Sequence, residues 1–151
     1  MYDVILVPHG GTKAGDEALQ HAIHIGKQEK SKIFILHVIS PWPAIFDEYN
    51  EDDSVQGQIE SILSSMEENT RKFLAEKVAH CRKEGLKCDG IFRTGKPAEA
   101  IIRYADEKEI DLIIMAKKKK IADYKSFFKI GGVTKKVQEK VNCSILLVDT
   151  P

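Results

Sequence analysis

Four consecutive ammonium groups, Lys117, Lys118, Lys119 and Lys120, follow the apolar run DLIIMA at residues 111–116, and the pair Gly131 and Gly132 stands just ahead of Val133 and Thr134. Cationic side chains attract phosphate oxygens, glycines let backbone N–H groups approach them, and a helix start adds a partial positive charge. The stretch therefore points to binding of a phosphate-bearing ligand. Its plainer reading is a solvated lysine loop, and both stand on the residues alone. A second glycine turn, Pro8-His9-Gly10-Gly11, ends the apolar run YDVILVP at residues 2–8.

Other chemistry-bearing residues carry less. His21 and His24 share a helix face at i and i+3, but no carboxylate partner is obvious at metal-site spacing, so no metal is expected. Cys81, Cys88 and Cys143 form no CxxC pair and read as reduced packing residues. No Ser-His-Asp, Cys-His or paired-carboxylate constellation can be defended from spacing, which favours binding over turnover. Tyr124, Phe127 and Phe128 lie among Lys120, Lys125 and Lys129. This resembles a nucleic-acid surface, but with no net charge to support it the aromatics are expected to pack inward. Trp42, Phe46 and Tyr49, beside the acidic residues Asp47, Glu48, Glu51, Asp52 and Asp53, could form a lid or a partner surface or pack down on the domain.

These groups must be positioned by a small framework. The chain has 151 residues, the size of one domain spanning 1–151, and its 42% hydrophobic and 30% charged composition suits a packed core rather than disorder. Lys plus Arg is 23 and Asp plus Glu is 23, so nothing global draws the protein to nucleic acid or a membrane. No apolar run approaches the roughly 18 residues of a membrane span, and residues 1–8 lack a signal-peptide pattern, so a cytoplasmic protein is expected.

Residues 2–8 and 33–39 (IFILHVI) are continuous apolar runs expected to form buried strands. Between them Leu19, Ala22, Ile23 and Gly26 recur at helical spacing from Asp16 onward. This is a βαβ unit. An irregular segment precedes a long helix over 58–84, with Ile59, Ile62, Leu63, Met66, Phe73, Leu74, Val78 and Cys81 on one stripe and Gly85 as its stop. Residues 87–93 form a weak strand. Pro97 starts a helix whose buried face is Ala98, Ile101, Ile102 and Ala105. Residues 111–116 form a fourth strand. A last helix with Val133, Val137 and Val141 inward leads to a fifth strand at 144–149. Alternation of this kind implies an α/β fold: a doubly wound, five-stranded parallel sheet with helices on both faces. Its ligand crevice lies at the carboxyl ends of the strands, in the loops at 8–13, 38–46 and 116–134.

At those loops the chain resembles the universal stress protein family. ILVPHGGT at 5–12 is similar to the family's first strand and turn, usually ILVPxDGS, and LHVIS at 36–40 to its second strand end. GKPAEAIIRYADEKEIDLIIMA at 95–116 and GGVTKKVQEKVNCSILLV at 131–148 complete a match to nearly the whole chain. The resemblance implies strand order 3-2-1-4-5 and a homodimer joined through strand five, from Ser144 to Asp149. An apolar edge strand needs such cover in any case.

Many members of the family bind ATP through G-x-x-G, nine residues, then G-[ST]. Here Ala116 and Lys119 replace the two loop glycines, eleven residues (120–130) precede Gly131, and Gly132 stands at the hydroxyl position. The family's acidic residue in the first loop aligns with Gly10. Pro8, His9, Val38, Gly131 and Gly132 keep the crevice's backbone pattern, while Val133 and Thr134 begin the helix facing the phosphate position. The expected function is a homodimeric, non-enzymatic stress-response or regulatory module. It would bind a protein partner and would not take ATP in the usual way. The alternative is an ATP- or AMP-binding switch in which Lys117 to Lys120 contact phosphate. Topology also suggests an acidic-basic clasp between residues 47–53 and 117–120.

Overall fold

The computed structural model describes residues 1–40, 53–117 and 132–149. In chain order the elements are β1 (Val4–Pro8), α1 (Lys13–Glu29), β2 (Lys32–Ile39), α2 (Asp53–Lys83), β3 (Lys87–Thr94), α3 (Pro97–Glu107), β4 (Leu112–Ala116), α4 (Gly132–Lys140) and β5 (Ser144–Val148). The strands form one sheet in the order β3-β2-β1-β4-β5, every neighbouring pair parallel, as the alternation of elements predicts.

The central strands are apolar on both sides because both faces are covered. Ile5, Val7, Ile33 and Ile35 pack with α1 and with Leu74, Val78 and Cys81 of α2. Leu6, Leu36 and Ile113 pack with Ala98, Ile101 and Tyr104 of α3 and Val137 of α4. Each Ile or Leu so buried contributes about 1.5–3 kcal/mol of transfer free energy. Asp111 fixes the β1–β4 register: its Oδ2 accepts from Val4 N–H at 2.9 Å, and its own N–H donates to the Val4 carbonyl at 2.9 Å.

Several boundaries and faces differ from the sequence reading. α1 begins at Lys13 rather than Asp16, because Thr12 caps it: Thr12 Oγ1 accepts from Gly15 N–H at 3.2 Å. α2 begins at Asp53 rather than Gln58. Its apolar stripe is buried only at the carboxyl-terminal end, and Ile62 and Met66 stay 59% and 39% exposed. A 31-residue helix is about 46 Å long. An 8-residue strand spans about 26 Å, so the first turns of α2 overhang the sheet. Gly85 does end the helix turn, at φ +86°.

On α3, Tyr104 is buried where Ile102 was expected, and Ile102 is half-buried. On α4 the inward residues are Thr134 and Val137, and Val133 is 36% exposed. Thr134, Val137 and Val141 follow i, i+3 and i+7, an equally helical phase that the polar look of threonine concealed.

Candidate functional site

The sheet reverses its order of connection between β1 and β4, the place where open α/β sheets leave a crevice. Because β4 and β5 are parallel and α4 joins them, the start of α4 returns to the same carboxyl end. Pro8, His9, Gly10, Val38, Ala116, Lys117, Gly132, Val133 and Thr134 therefore share one end of the fold. Lys118, Lys119, Lys120 and Gly131 lie outside the described residues, as do residues 41–52 and the aromatics Tyr124, Phe127 and Phe128. The acidic-basic clasp expected between residues 47–53 and 117–120 falls there too, apart from its end residues Asp53 and Lys117.

The loop leaving β1 is built inward. His9 extends the β1–β2 pairing, its N–H donating to the Leu36 carbonyl at 2.8 Å. Its imidazole is fully buried and faces α1 and α2. Nε2–H donates to Asp16 Oδ1 at 2.9 Å, and Nδ1 accepts from Gly11 N–H at 3.0 Å. That pair of partners sets a neutral ring protonated on Nε2. Phe73 of α2 meets the ring edge-on at 4.9 Å between centroids. Asp16 Oδ1 also receives Lys77 Nζ of α2 at 2.7 Å, so one carboxylate ties β1, α1 and α2 together. His37 Nδ1–H donates to the His9 carbonyl at 2.8 Å.

Burial holds the His9 imidazole below the usual histidine range, against the opposing pull of the Asp16 hydrogen bond and charge. For Asp16, burial pushes the carboxyl up, and hydrogen bonds from Lys77 and His9 together bring it below the ordinary aspartate value. Both imidazole nitrogens are engaged, so the ring can position the loop but has no proton or lone pair to give a substrate.

What the loop presents outward is backbone. Gly10 and Gly11 are exposed, a Cβ at Gly10 would meet nothing within 4 Å, and Gly11 sits at φ +79°. Thr12 is occupied as the α1 cap. On the far side Ala116 is half-buried opposite Val148, and Lys117 N–H donates to the Val148 carbonyl at 2.8 Å, which leaves its ammonium exposed. Val38 is half-buried and packs on the α3 side of the sheet. At the head of α4, Gly132 and Val133 are exposed and Thr134 is buried.

His21 does have a carboxylate neighbour, Glu17 at 3.8 Å one turn earlier, at an i,i+4 spacing the sequence itself displays. Among the described residues no group of three or more His, Cys, Asp or Glu side chains could hold a metal ion. The sequence reading missed Asp16 and Lys77 as partners of His9. A signal was available only in part: Asp16 falls in the first turn of a helix capped by Thr12, but the ring's inward turn depends on Gly15, which lies against it.

The model of the universal stress protein family matches residues 1–149. The chain is similar to universal stress protein MJ0531 of Methanocaldococcus jannaschii, 25% identical over 151 residues, covering 100% of this chain and 84% of that one. Among solved structures it is similar to protein MJ0577, with a TM-score of 0.82, 24% identity and coverage of 100% and 98%. It also resembles a universal stress protein from Archaeoglobus fulgidus in complex with dAMP, with a TM-score of 0.62, 16% identity and 97% coverage of both chains.

Proposed function

The chain belongs to the universal stress protein family, and on that premise we propose that it is a homodimeric, non-enzymatic binding module of the cytoplasm, acting in stress response or regulation, whose crevice does not take ATP in the family's usual way. The observation that carries this reading is the loop after β1. His9 is turned inward to Asp16, Thr12 is spent on capping α1, and Gly10 and Gly11 have no side chains. Thr12, exposed, is the one polar side chain of this loop not turned inward, and its oxygen already accepts from Gly15 N–H. Ala116 adds a methyl group where the phosphate loop of the family opens with glycine.

Dimerisation through β5 is supported by its outer edge. Among the described strands β5 pairs only with β4, and its Ile145 and Leu147 are half-exposed beside a cavity of about 290 Å³. A second copy of the strand would satisfy both the backbone and these side chains. The pairing also leaves the carboxyl ends of the sheets free for a protein partner.

A second reading, an ATP- or AMP-responsive switch, is favoured by one observation. The Lys117 ammonium is exposed at the end of β4 in a fold that, in the A. fulgidus relative, is in complex with dAMP. Native mass spectrometry of the purified chain separates the two. The first reading expects a dimer without adenylate mass. Retained adenylate favours the switch, and a monomer contradicts both dimeric assembly and its edge.

A further inference from the structure

β3 is the sheet edge opposite β5, and the direction of its hydrogen bonds follows from its neighbour. Gly95 N–H donates to the Ile39 carbonyl at 2.9 Å, so odd-numbered residues of this strand face β2. Cys88, Gly90 and Phe92 therefore turn their N–H and C=O groups outward. Two of these carbonyls are covered by arginines. Arg82 Nε of α2 donates to Cys88 O at 3.1 Å, and Arg93 Nη1 donates to Phe92 O at 3.2 Å. Among the described residues no hydrogen bond reaches the outward groups of Gly90, which lies between them.

Along this edge runs an open groove of about 860 Å³ between α2 and α3. Four cations line it, Arg71, Arg82, Arg93 and Lys108, against one acid, Asp89. That acid is already paired, with Lys32 Nζ at 2.9 Å and Arg82 Nη2 at 3.3 Å. Arg71 has Glu67 at 3.7 Å, a loose i,i+4 contact on the helix surface. The guanidinium of Arg71 stands 5.2 Å over the Phe92 ring and that of Arg93 5.5 Å over Tyr104. Arg71 and Arg82 keep 62% and 60% side-chain exposure. In a chain with no net charge, this is a local concentration of positive charge.

We propose that the β3 groove docks an extended acidic peptide that adds to β3 as a further parallel or antiparallel strand, bonded through Gly90, with its carboxylates taken by Arg71, Arg82, Arg93 and Lys108. A free strand edge offers main-chain donors and acceptors at a spacing only another peptide matches. A carboxylate binds guanidinium more strongly than a neutral carbonyl does. Arg82 and Arg93 accordingly exchange the carbonyls of Cys88 and Phe92 for the ligand's carboxylates and uncover more of the edge for pairing. In the absence of an acidic ligand the same arginines guard the strand against association with other edges.

The test is a fluorescence-anisotropy titration of the full chain with a labelled peptide alternating Glu and Val, as long as β3's 8 residues. Its Lys-for-Glu counterpart and an oligothymidylate of equal length are run beside it. The acidic peptide alone should bind saturably and protect the Gly90 amide from hydrogen exchange. The Arg71→Gln/Arg93→Gln double variant should weaken it roughly tenfold or more. Both side chains are exposed, and an unchanged melting curve shows that the variant is folded. Oligothymidylate binding as tightly with no protection at Gly90 would mean a general polyanion surface and overturn the proposal. Binding indifferent to the double variant, or no binding, overturns it as well. So does peptide binding that appears only when the acidic residues 47–53 are neutralised, which would assign the groove to the chain itself.

Discussion

The Nε2–H of His9 donates to Asp16 Oδ1 across 2.9 Å, joining a buried ring at the end of β1 to a carboxylate in the first turn of α1. Lys77 of α2 closes the arrangement at 2.7 Å from the same oxygen. The result is a crevice loop whose polar side chains serve the framework and whose outer surface is glycine backbone with the capping Thr12 beside it.

Acidification should loosen this arrangement. Burial keeps the folded-state His9 below its ordinary value of 6.5, so below that pH the unfolded chain binds more protons than the folded one. Stability contributed by neutral His9 is therefore full above pH 6.5 and falls as pH drops toward the lowered native value. Asp16, held low, acts in the same direction at more acid pH, its contribution disappearing as pH falls below 3.8. His9→Gln should cost about 1–3 kcal/mol near neutrality. It should also flatten the decline in melting temperature below pH 6.5, read by circular dichroism.

Gly15→Ala should disturb the same ring. The added Cβ would lie 2.6 Å from His9 Nδ1 and 2.7 Å from Cε1, so the imidazole must move or the helix must shift. Destabilisation of about 1–3 kcal/mol is expected in urea unfolding. Gly10→Ala, with nothing within 4 Å of its Cβ, should change stability by no more than roughly 0.5 kcal/mol.

Much of this architecture was legible in the sequence, and for a definite reason. Val4–Pro8, Lys32–Ile39 and Leu112–Ala116 are buried on both faces, so their runs of Ile, Leu and Val stand out without reference to neighbours. Ile62, Met66 and Val133 misled because periodicity gives a helix its stripe but not the length of sheet available to cover it. The His9, Asp16 and Lys77 contact was invisible for a related reason. It joins three elements through a turn that only the packed fold defines, while spacing drew attention to His21 and His24, which are exposed.

The thiols should report packing. Cys81 and Cys88 are 0% and 3% exposed, and Cys143 is half-buried with its thiol pushed up by burial. A bulky disulfide reagent should label Cys143 first in the native protein, and Cys81 and Cys88 only at the rate of opening. Equal labelling of all three would contradict the core arrangement around α2 and β3.

Leu147→Glu places a carboxylate on the half-exposed β5 edge. Sedimentation equilibrium should give twice the 17.0 kDa chain mass for the unaltered protein and a single chain mass for the variant. A variant that stays dimeric would move the interface away from β5.

Gly10→Asp supplies the acidic residue that the family carries at this position, at a site where the backbone leaves room. The variant should bind AMP more tightly than the unaltered chain, by roughly tenfold, about 1.4 kcal/mol. Equal affinity would mean that position 10 does not decide nucleotide binding.

The most direct test is isothermal calorimetry of the unaltered chain with ATP and with AMP, each with and without magnesium. The structure around Gly10, Thr12 and Ala116 predicts no saturable heat at millimolar nucleotide. Saturable binding with Kd below about 100 μM, a free energy near 5.5 kcal/mol, would contradict it and favour the nucleotide-switch reading.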